Sequence, residues 1–275
     1  MSSLIIILLI TGMVIGFLSG LLGIGGGIIL TPVQLWLYTS HGISESIAIR
    51  LAFATSLAVI LPTAASGVWQ HHKRGSINWR AAILMGIFTS AGSYLGATLA
   101  SHISGSALKF SFGVLTLLVA TRMLTVKFHD FDRPIRQNYW LWFGLAFPLG
   151  IITGLMGIGG GILAIPVLVL VLRFRMVNAM GTSLAMMLFT SLGGICGYVV
   201  NGLGAIGLPE YTIGYIYWPA WLALAATSIT LAQLGAITAH KIPGRYLNYL
   251  LVILLFYISL DMLGIIRWAT SLFKG

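Results

Sequence analysis

Long apolar runs alternate with short polar clusters along the chain, and this pattern predicts ten hydrophobic segments. Most have 18 residues or more, which is the length that a helix needs to cross the hydrocarbon core of a bilayer. Segments 27–38 and 161–172 are shorter, and at 1.5 Å per residue each would be about 18 Å long. The predicted segments are 4–22, 27–38, 47–69, 81–100, 107–124, 139–156, 161–172, 177–200, 214–239 and 246–264.

A glycine-rich motif divides these segments into two sets of five. The sequence GLLGIGGGIILTP at 20–32 returns as GLMGIGGGILAIP at 154–166, and Thr-Ser-Leu at 55–57 returns at 182–184. A period near half the chain length indicates a duplicated unit. We therefore predict a first repeat at 1–126, a linker at 127–138 and a second repeat at 139–275, all within one integral membrane domain.

The composition excludes a water-soluble globular domain. Hydrophobic residues make up 58% of the chain and charged residues only 7%, with a mean hydropathy of +1.00. So few charges could not cover the surface of a soluble protein. The predicted fold class is an all-α polytopic membrane protein, in which the second element of each repeat is short and begins at a glycine-rich loop.

The distribution of charge predicts how the two repeats are oriented. An odd number of segments per repeat would make the second copy enter the membrane in the opposite direction. Ten of the fifteen Lys and Arg residues then fall in cytoplasmic loops, as the positive-inside rule requires; they are Lys73, Arg74, Arg80, Lys127, Arg133, Arg136, Arg173, Arg175, Lys241 and Arg245. This scheme leaves both termini outside. It also explains the net charge of +10 without a nucleic-acid partner.

The glycine loops are the first candidate for chemistry. Glycine allows turns with positive φ and lets backbone N–H groups approach a ligand closely. At a helix start these groups form an anion site without a charged side chain, although glycine in membrane helices also serves close packing. We expect a small anionic substrate between the halves, at Gly23, Gly25, Gly26, Gly27, Gly157, Gly159, Gly160 and Gly161.

Polar side chains within the predicted helices are the second candidate. The hydroxyls of the two Thr-Ser pairs either bond to a carbonyl of the preceding helical turn or donate to a bound oxyanion. The predicted substrate-binding side chains are Thr55, Ser56, Thr182, Ser183, Gln34 and Asn178. Arg50 and Lys109 lie near helix ends, where the membrane interface explains them better than an anion site does.

Catalysis and metal binding fit the sequence poorly. All six histidines fall in loops or at predicted helix ends, so a nucleophile within the bilayer would have no base. The HExxH motif and the phosphate-binding GxxxxGK[ST] loop are absent from the sequence,. We expect no enzymatic activity, no metal and no cofactor.

The paired glycine motifs, each followed by an (A/G)TSL helix and a helix ending in LGA, resemble the TauE/SafE sulfite exporter family. This resemblance implies a secondary transporter of sulfite, sulfoacetate or other organosulfonates in a bacterial inner membrane. We predict that it exports its substrate and works by alternating access. It places the binding site on the glycines and on the Thr-Ser pairs. The sequence leaves open three alternative functions, namely a passive anion channel, a carrier of a non-sulfur organic anion and a structural subunit of a larger complex. It also leaves open assembly into a homodimer.

Overall fold

The computed structural model describes residues 2–22, 25–125, 135–136, 138–239 and 244–266, and these form helices almost throughout. The helices are α1 (Ser2–Leu22), α2 (Gly27–Ser40), α3 (Glu45–Lys73), α4 (Trp79–His102), α5 (Gly105–Thr125), α6 (Tyr139–Met156), α7 (Gly161–Pro166, continued by a π-helical segment, Val167–Val171), α8 (Met176–Gly202), α9 (Trp218–Ala239) and α10 (Gly244–Met262). Five of the described helices, α3 to α6 and α8, are long and apolar enough to cross a membrane. A helix satisfies all its backbone hydrogen bonds internally, as lipid requires. The predicted all-α membrane architecture is confirmed.

Helices from the two halves pack in exchanged pairs. α1 lies along α9, and α6, its counterpart in the second half, lies along α4, the counterpart of α9. α3 packs against its own counterpart α8, and α5 against α10. Each half therefore completes its packing with helices of the other.

Matching glycines make this packing close. A Cβ atom on Gly96 of α4 would overlap the carbonyl oxygen of Ile151, and one on Gly235 of α9 would overlap that of Phe17. In the repeat alignment, Gly235 is equivalent to Gly96 and Ile151 to Phe17. Small residues of this kind let helix backbones approach in a membrane, where the hydrophobic effect does not hold helices together.

The segment before α9 differs from the sequence prediction. The apolar run was expected to be helical from residue 214, but two short antiparallel strands, β1 (Thr212–Ile213) and β2 (Ile216–Tyr217), precede a helix that begins at Trp218. Gly214 adopts a φ of 55° between the strands. Pro219 is tolerated in the first turn of a helix, because the N–H it lacks has no partner there.

The predicted linker at 127–138 lies largely outside the described residues, which include only Ile135, Arg136 and Asn138 of it. The Arg136 N–H donates to the Leu172 carbonyl at 3.1 Å. The Asn138 side chain accepts hydrogen bonds from two backbone N–H groups in the first turn of α6. The end of the linker is thus anchored to the second half.

Candidate functional site

Each glycine motif makes a left-handed turn. Gly25 and Gly26 have φ values of 75° and 73°, and the equivalent Gly159 and Gly160 have 74° and 100°. Residues with a Cβ rarely adopt these angles. The backbone conformation therefore explains why glycine occupies both pairs of positions.

A short helix starts directly after each turn. The Gly26 carbonyl accepts from Ile29 N at 3.0 Å, and the Gly160 carbonyl accepts from Leu163 N at 3.1 Å. The first N–H groups of a helix have no partner within it and lie at the positive end of its dipole. Each turn thus presents backbone donors to the protein interior.

The two turns meet each other. A Cβ atom on Gly27 would lie 2.9 Å from the carbonyl oxygen of Ile158 and 3.0 Å from that of Gly157. Both of these residues belong to the second motif, 130 or more positions away. The glycine motifs of the two halves are therefore in direct contact.

A pair of apolar side chains lies between the turns. A Cβ atom on Gly25 would overlap the Met187 methyl group, and one on Gly159 would lie 2.8 Å from Ile60 Cδ1. Ile60 and Met187 occupy equivalent positions on α3 and α8. Each turn faces the same Ile60–Met187 pair, and any larger side chain at Gly25 or Gly159 would collide with it.

A small cavity of about 10 Å³ lies beside the second glycine turn, with room for about one water molecule,. Four hydroxyl residues, which we call the second-half cluster, contribute to its wall together with the glycines and apolar side chains. The cluster consists of Thr89, Thr153, Ser183 and Thr190. Thr89 is on α4 and so comes from the first half of the chain.

Ser183 differs from the other hydroxyls of this cluster. Thr190 lies within hydrogen-bond distance of Thr89 Oγ1 and Met186 O, Thr89 donates to its own helix, and so does Thr153. The Ser183 side chain is fully buried, and its hydroxyl has no hydrogen-bond partner. A buried hydroxyl without a partner costs about 1–3 kcal/mol, so it points to a ligand or a water.

Each of the four residues of the second-half cluster has an equivalent hydroxyl residue in the other repeat. We call these equivalents the first-half cluster: Ser19, Ser56, Thr63 and Ser228. A Cβ on Gly26 would lie 3.4 Å from Ser19 Oγ, and Thr63 Oγ1 lies 3.4 Å from Ser228 Oγ. The latter contact is equivalent to that between Thr190 and Thr89. Ser228 is on α9 and so comes from the second half.

Ser56, the counterpart of Ser183, has hydrogen-bond partners. Gln34 Nε2 donates to Ser56 Oγ at 3.1 Å, and Thr31 Oγ1 lies 3.4 Å from the same atom. Tyr38 in turn donates to the Gln34 amide oxygen at 2.8 Å. Three residues on one face of α2, namely Thr31, Gln34 and Tyr38, thus form a hydrogen-bonded chain that ends on Ser56.

The threonines of the two Thr-Ser pairs accept hydrogen bonds from backbone N–H groups and do not contact each other's hydroxyls. Thr55 Oγ1 accepts from Tyr217 N and Thr182 Oγ1 accepts from Asn78 N, both at 3.1 Å. Tyr217 and Asn78 are equivalent residues directly before α9 and α4. Thr55 therefore positions the start of α9, and Thr182 positions the start of α4.

The remaining residues that the sequence singled out do not belong to either hydroxyl cluster. Asn178 is half-buried in the first turn of α8 and does not line the cavity, whereas Gly161 is buried at the start of α7. Gly23 lies outside the described residues. Arg50 donates to carbonyls at the end of α4, and Lys109 pairs with Glu45, so both cations have structural partners.

Sequence reasoning missed Thr89, Thr153 and Thr190. Each has a hydroxyl counterpart in the other repeat, and this was the available signal in the sequence.

Within the described residues, no group of three or more His, Cys, Asp or Glu side chains is placed to hold a metal ion.

Comparisons with known proteins agree over nearly the whole chain. The sequence model of the sulfite exporter TauE/SafE family matches residues 8–262. A probable membrane transporter protein of Methanocaldococcus jannaschii is 32% identical over 94% of both chains. One of Haemophilus influenzae is 30% identical over 95% of this chain and 99% of its own, and YunE of Bacillus subtilis, a probable membrane transporter protein, is 24% identical over 94% and 97%. No solved structure matches.

Proposed function

This chain belongs to the TauE/SafE sulfite exporter family of membrane transporters, and from that membership we propose that it is a secondary transporter of small sulfur-containing anions. Its substrates are sulfite, sulfoacetate or other organosulfonates, which it exports across a bacterial inner membrane by alternating access. The observation that carries this proposal is the contact between the two glycine turns, beside a cavity where the buried Ser183 hydroxyl has no partner.

An oxyanion suits the groups around that cavity. A buried anion needs several hydrogen bonds to offset the loss of water. Backbone N–H groups at a helix start and a serine hydroxyl donate such bonds, and bonds to an ionised acceptor are the stronger ones. The positive end of the α7 dipole also attracts an anion, and it does so without a charged side chain.

The exchanged packing of the halves supports inverted repeats at 1–126 and 139–275. Contacts between α1 and α9 recur between α6 and α4, as expected when a twofold rotation relates the two copies. Five elements per copy then place that axis in the membrane plane, which brings both glycine turns to the midplane. Rocking of one half against the other would open the site to each side in turn.

Counterflow in proteoliposomes tests the function. Vesicles preloaded with unlabelled sulfite, sulfoacetate, taurine or sulfate receive labelled sulfite, and a carrier gives saturable uptake driven by its own substrate inside. Flux that neither saturates nor shows counterflow would instead indicate an anion channel. Counterflow with a carboxylate only would assign a non-sulfur anion, and no flux with any anion would overturn the transport proposal.

A further inference from the structure

We propose that the two clusters are unequal, and that the anion binds only in the second-half cluster, on Ser183. In the first-half cluster, the Gln34 side chain takes the place of the ligand. This inference rests on the proposed function, since it assigns the position of the same substrate. Its ligand class is a small oxyanion, including the three-oxygen head group that sulfite shares with sulfonates.

The equivalent positions on α2 and α7 explain why only one cluster is open. Gln34 and Tyr38 of α2 correspond to Leu168 and Leu172. Both leucines are fully buried and offer no polar atom to a neighbouring hydroxyl. Ser183 therefore lacks the partner that Gln34 provides to Ser56 at 3.1 Å.

Other buried hydroxyls follow the same division. Within the described residues, the buried side-chain oxygens without a hydrogen-bond partner belong to Ser183, Ser191 and Ser93. The repeat equivalents of Ser191 and Ser93 are Ala64 and Ala232. Unsatisfied polar groups thus lie on α8 and α4, while the matching positions of α3 and α9 are bonded or apolar.

The cavity is smaller than an oxyanion, so its wall has to move on binding. Met186 and Met187 line it, and the unbranched methionine side chain adapts readily to a new shape,. The equivalent positions in the first half hold Val59 and Ile60, whose branched side chains are stiffer,. The second half therefore has both the free donor and the adaptable wall.

Titration calorimetry on the detergent-purified full chain tests this assignment, with sodium sulfite and methanesulfonate as probes and chloride as the control anion. We expect one sulfite per chain. Ser183→Ala should weaken binding about tenfold or more, because a hydrogen bond to an anion is lost. Ser56→Ala, the matched variant at the equivalent position, should bind sulfite as the unsubstituted chain does.

Thermal unfolding of the same two variants gives the reverse order. Ser56→Ala removes the acceptor of the buried Gln34 amide and should lower Tm by several degrees. Ser183→Ala removes a hydroxyl whose burial without a partner is unfavourable, so it should not lower Tm and should raise it slightly. A third variant, Leu168→Gln, introduces an amide at the position equivalent to Gln34 and should abolish sulfite binding.

Three results would count against these proposals. If Ser183→Ala and Ser56→Ala lost affinity equally, at one sulfite per chain, the proposal that the clusters are unequal would be wrong. The proposal that the protein transports sulfur anions would not be affected. Two sulfites bound per unsubstituted chain would do the same. No binding of sulfite or methanesulfonate to the unsubstituted chain would overturn the sulfur-anion function itself, and the inference with it.

Discussion

The two halves of this transporter share a glycine turn and equivalent hydroxyl positions, but they differ in the side chains around them. Both have a left-handed glycine turn with a helix after it, and both have an equivalent set of hydroxyls that includes one residue from the opposite half. In the first half, Gln34 bonds to Ser56; in the second, the equivalent Leu168 leaves Ser183 without a partner. The same turn is therefore present twice, and the side chains near it determine which serine hydroxyl has a partner.

The glycine turns are the feature that both halves need, so the largest effect is expected there. Gly26→Val and Gly160→Val each force a β-branched residue into a positive φ at a helix start,. Both should reduce sulfite counterflow to the background of empty vesicles. Gly42→Val is the matched control, since Gly42 has a φ of 83° but open space around it. Normal counterflow in Gly160→Val would show that the second turn does not form the site. Normal counterflow in Gly26→Val would show that transport does not need the first turn.

Helix packing should respond equally in the two halves. Gly96→Leu and Gly235→Leu place a side chain where a backbone carbonyl already lies, so each should lower the free energy of unfolding by about 3 kcal/mol or more,. Chemical unfolding in detergent measures this. Gly144→Leu should be tolerated, because a Cβ there meets no atom within 4 Å. A large loss from only one of the pair would contradict the equivalence of α4 and α9.

The paired threonines offer a smaller test of the same equivalence. Thr55→Val and Thr182→Val preserve shape but remove the acceptor of a backbone N–H, which should cost about 1–3 kcal/mol of stability in each case,. Sulfite affinity should stay unchanged in both variants, as measured by calorimetry. A loss of affinity without a loss of stability would place these hydroxyls on the anion, as their position in the repeated motif predicts.

Asn178 should show the smallest effect. It lies in the first turn of α8 and away from the cavity, so Asn178→Ala should leave both sulfite affinity and Tm unchanged. A clear loss of affinity would extend the second-half site toward the start of α8 and make the difference between the halves larger.

Much of the fold could be predicted from local patterns in the sequence. The apolar runs predicted the helices because a membrane-spanning backbone has to bond within its own segment. The prediction of helix from residue 214 was wrong for 214–217, since apolar composition alone does not distinguish a buried hairpin from a helix,. The positions of Thr89 and Ser228 could not be predicted, because each completes a cluster of the opposite half.

The sequence by itself determined the duplication, the helical membrane fold and the glycine turns, since these depend on composition, periodicity and the conformational freedom of single residues. Only the tertiary structure decided which hydroxyls meet and which of them is free. Thr190 reaches Thr89 across 101 positions, and Thr55 holds Tyr217 across 162. Such contacts depend on how helices of the two halves pack, because a polar group within a membrane takes whichever partner the packing places beside it.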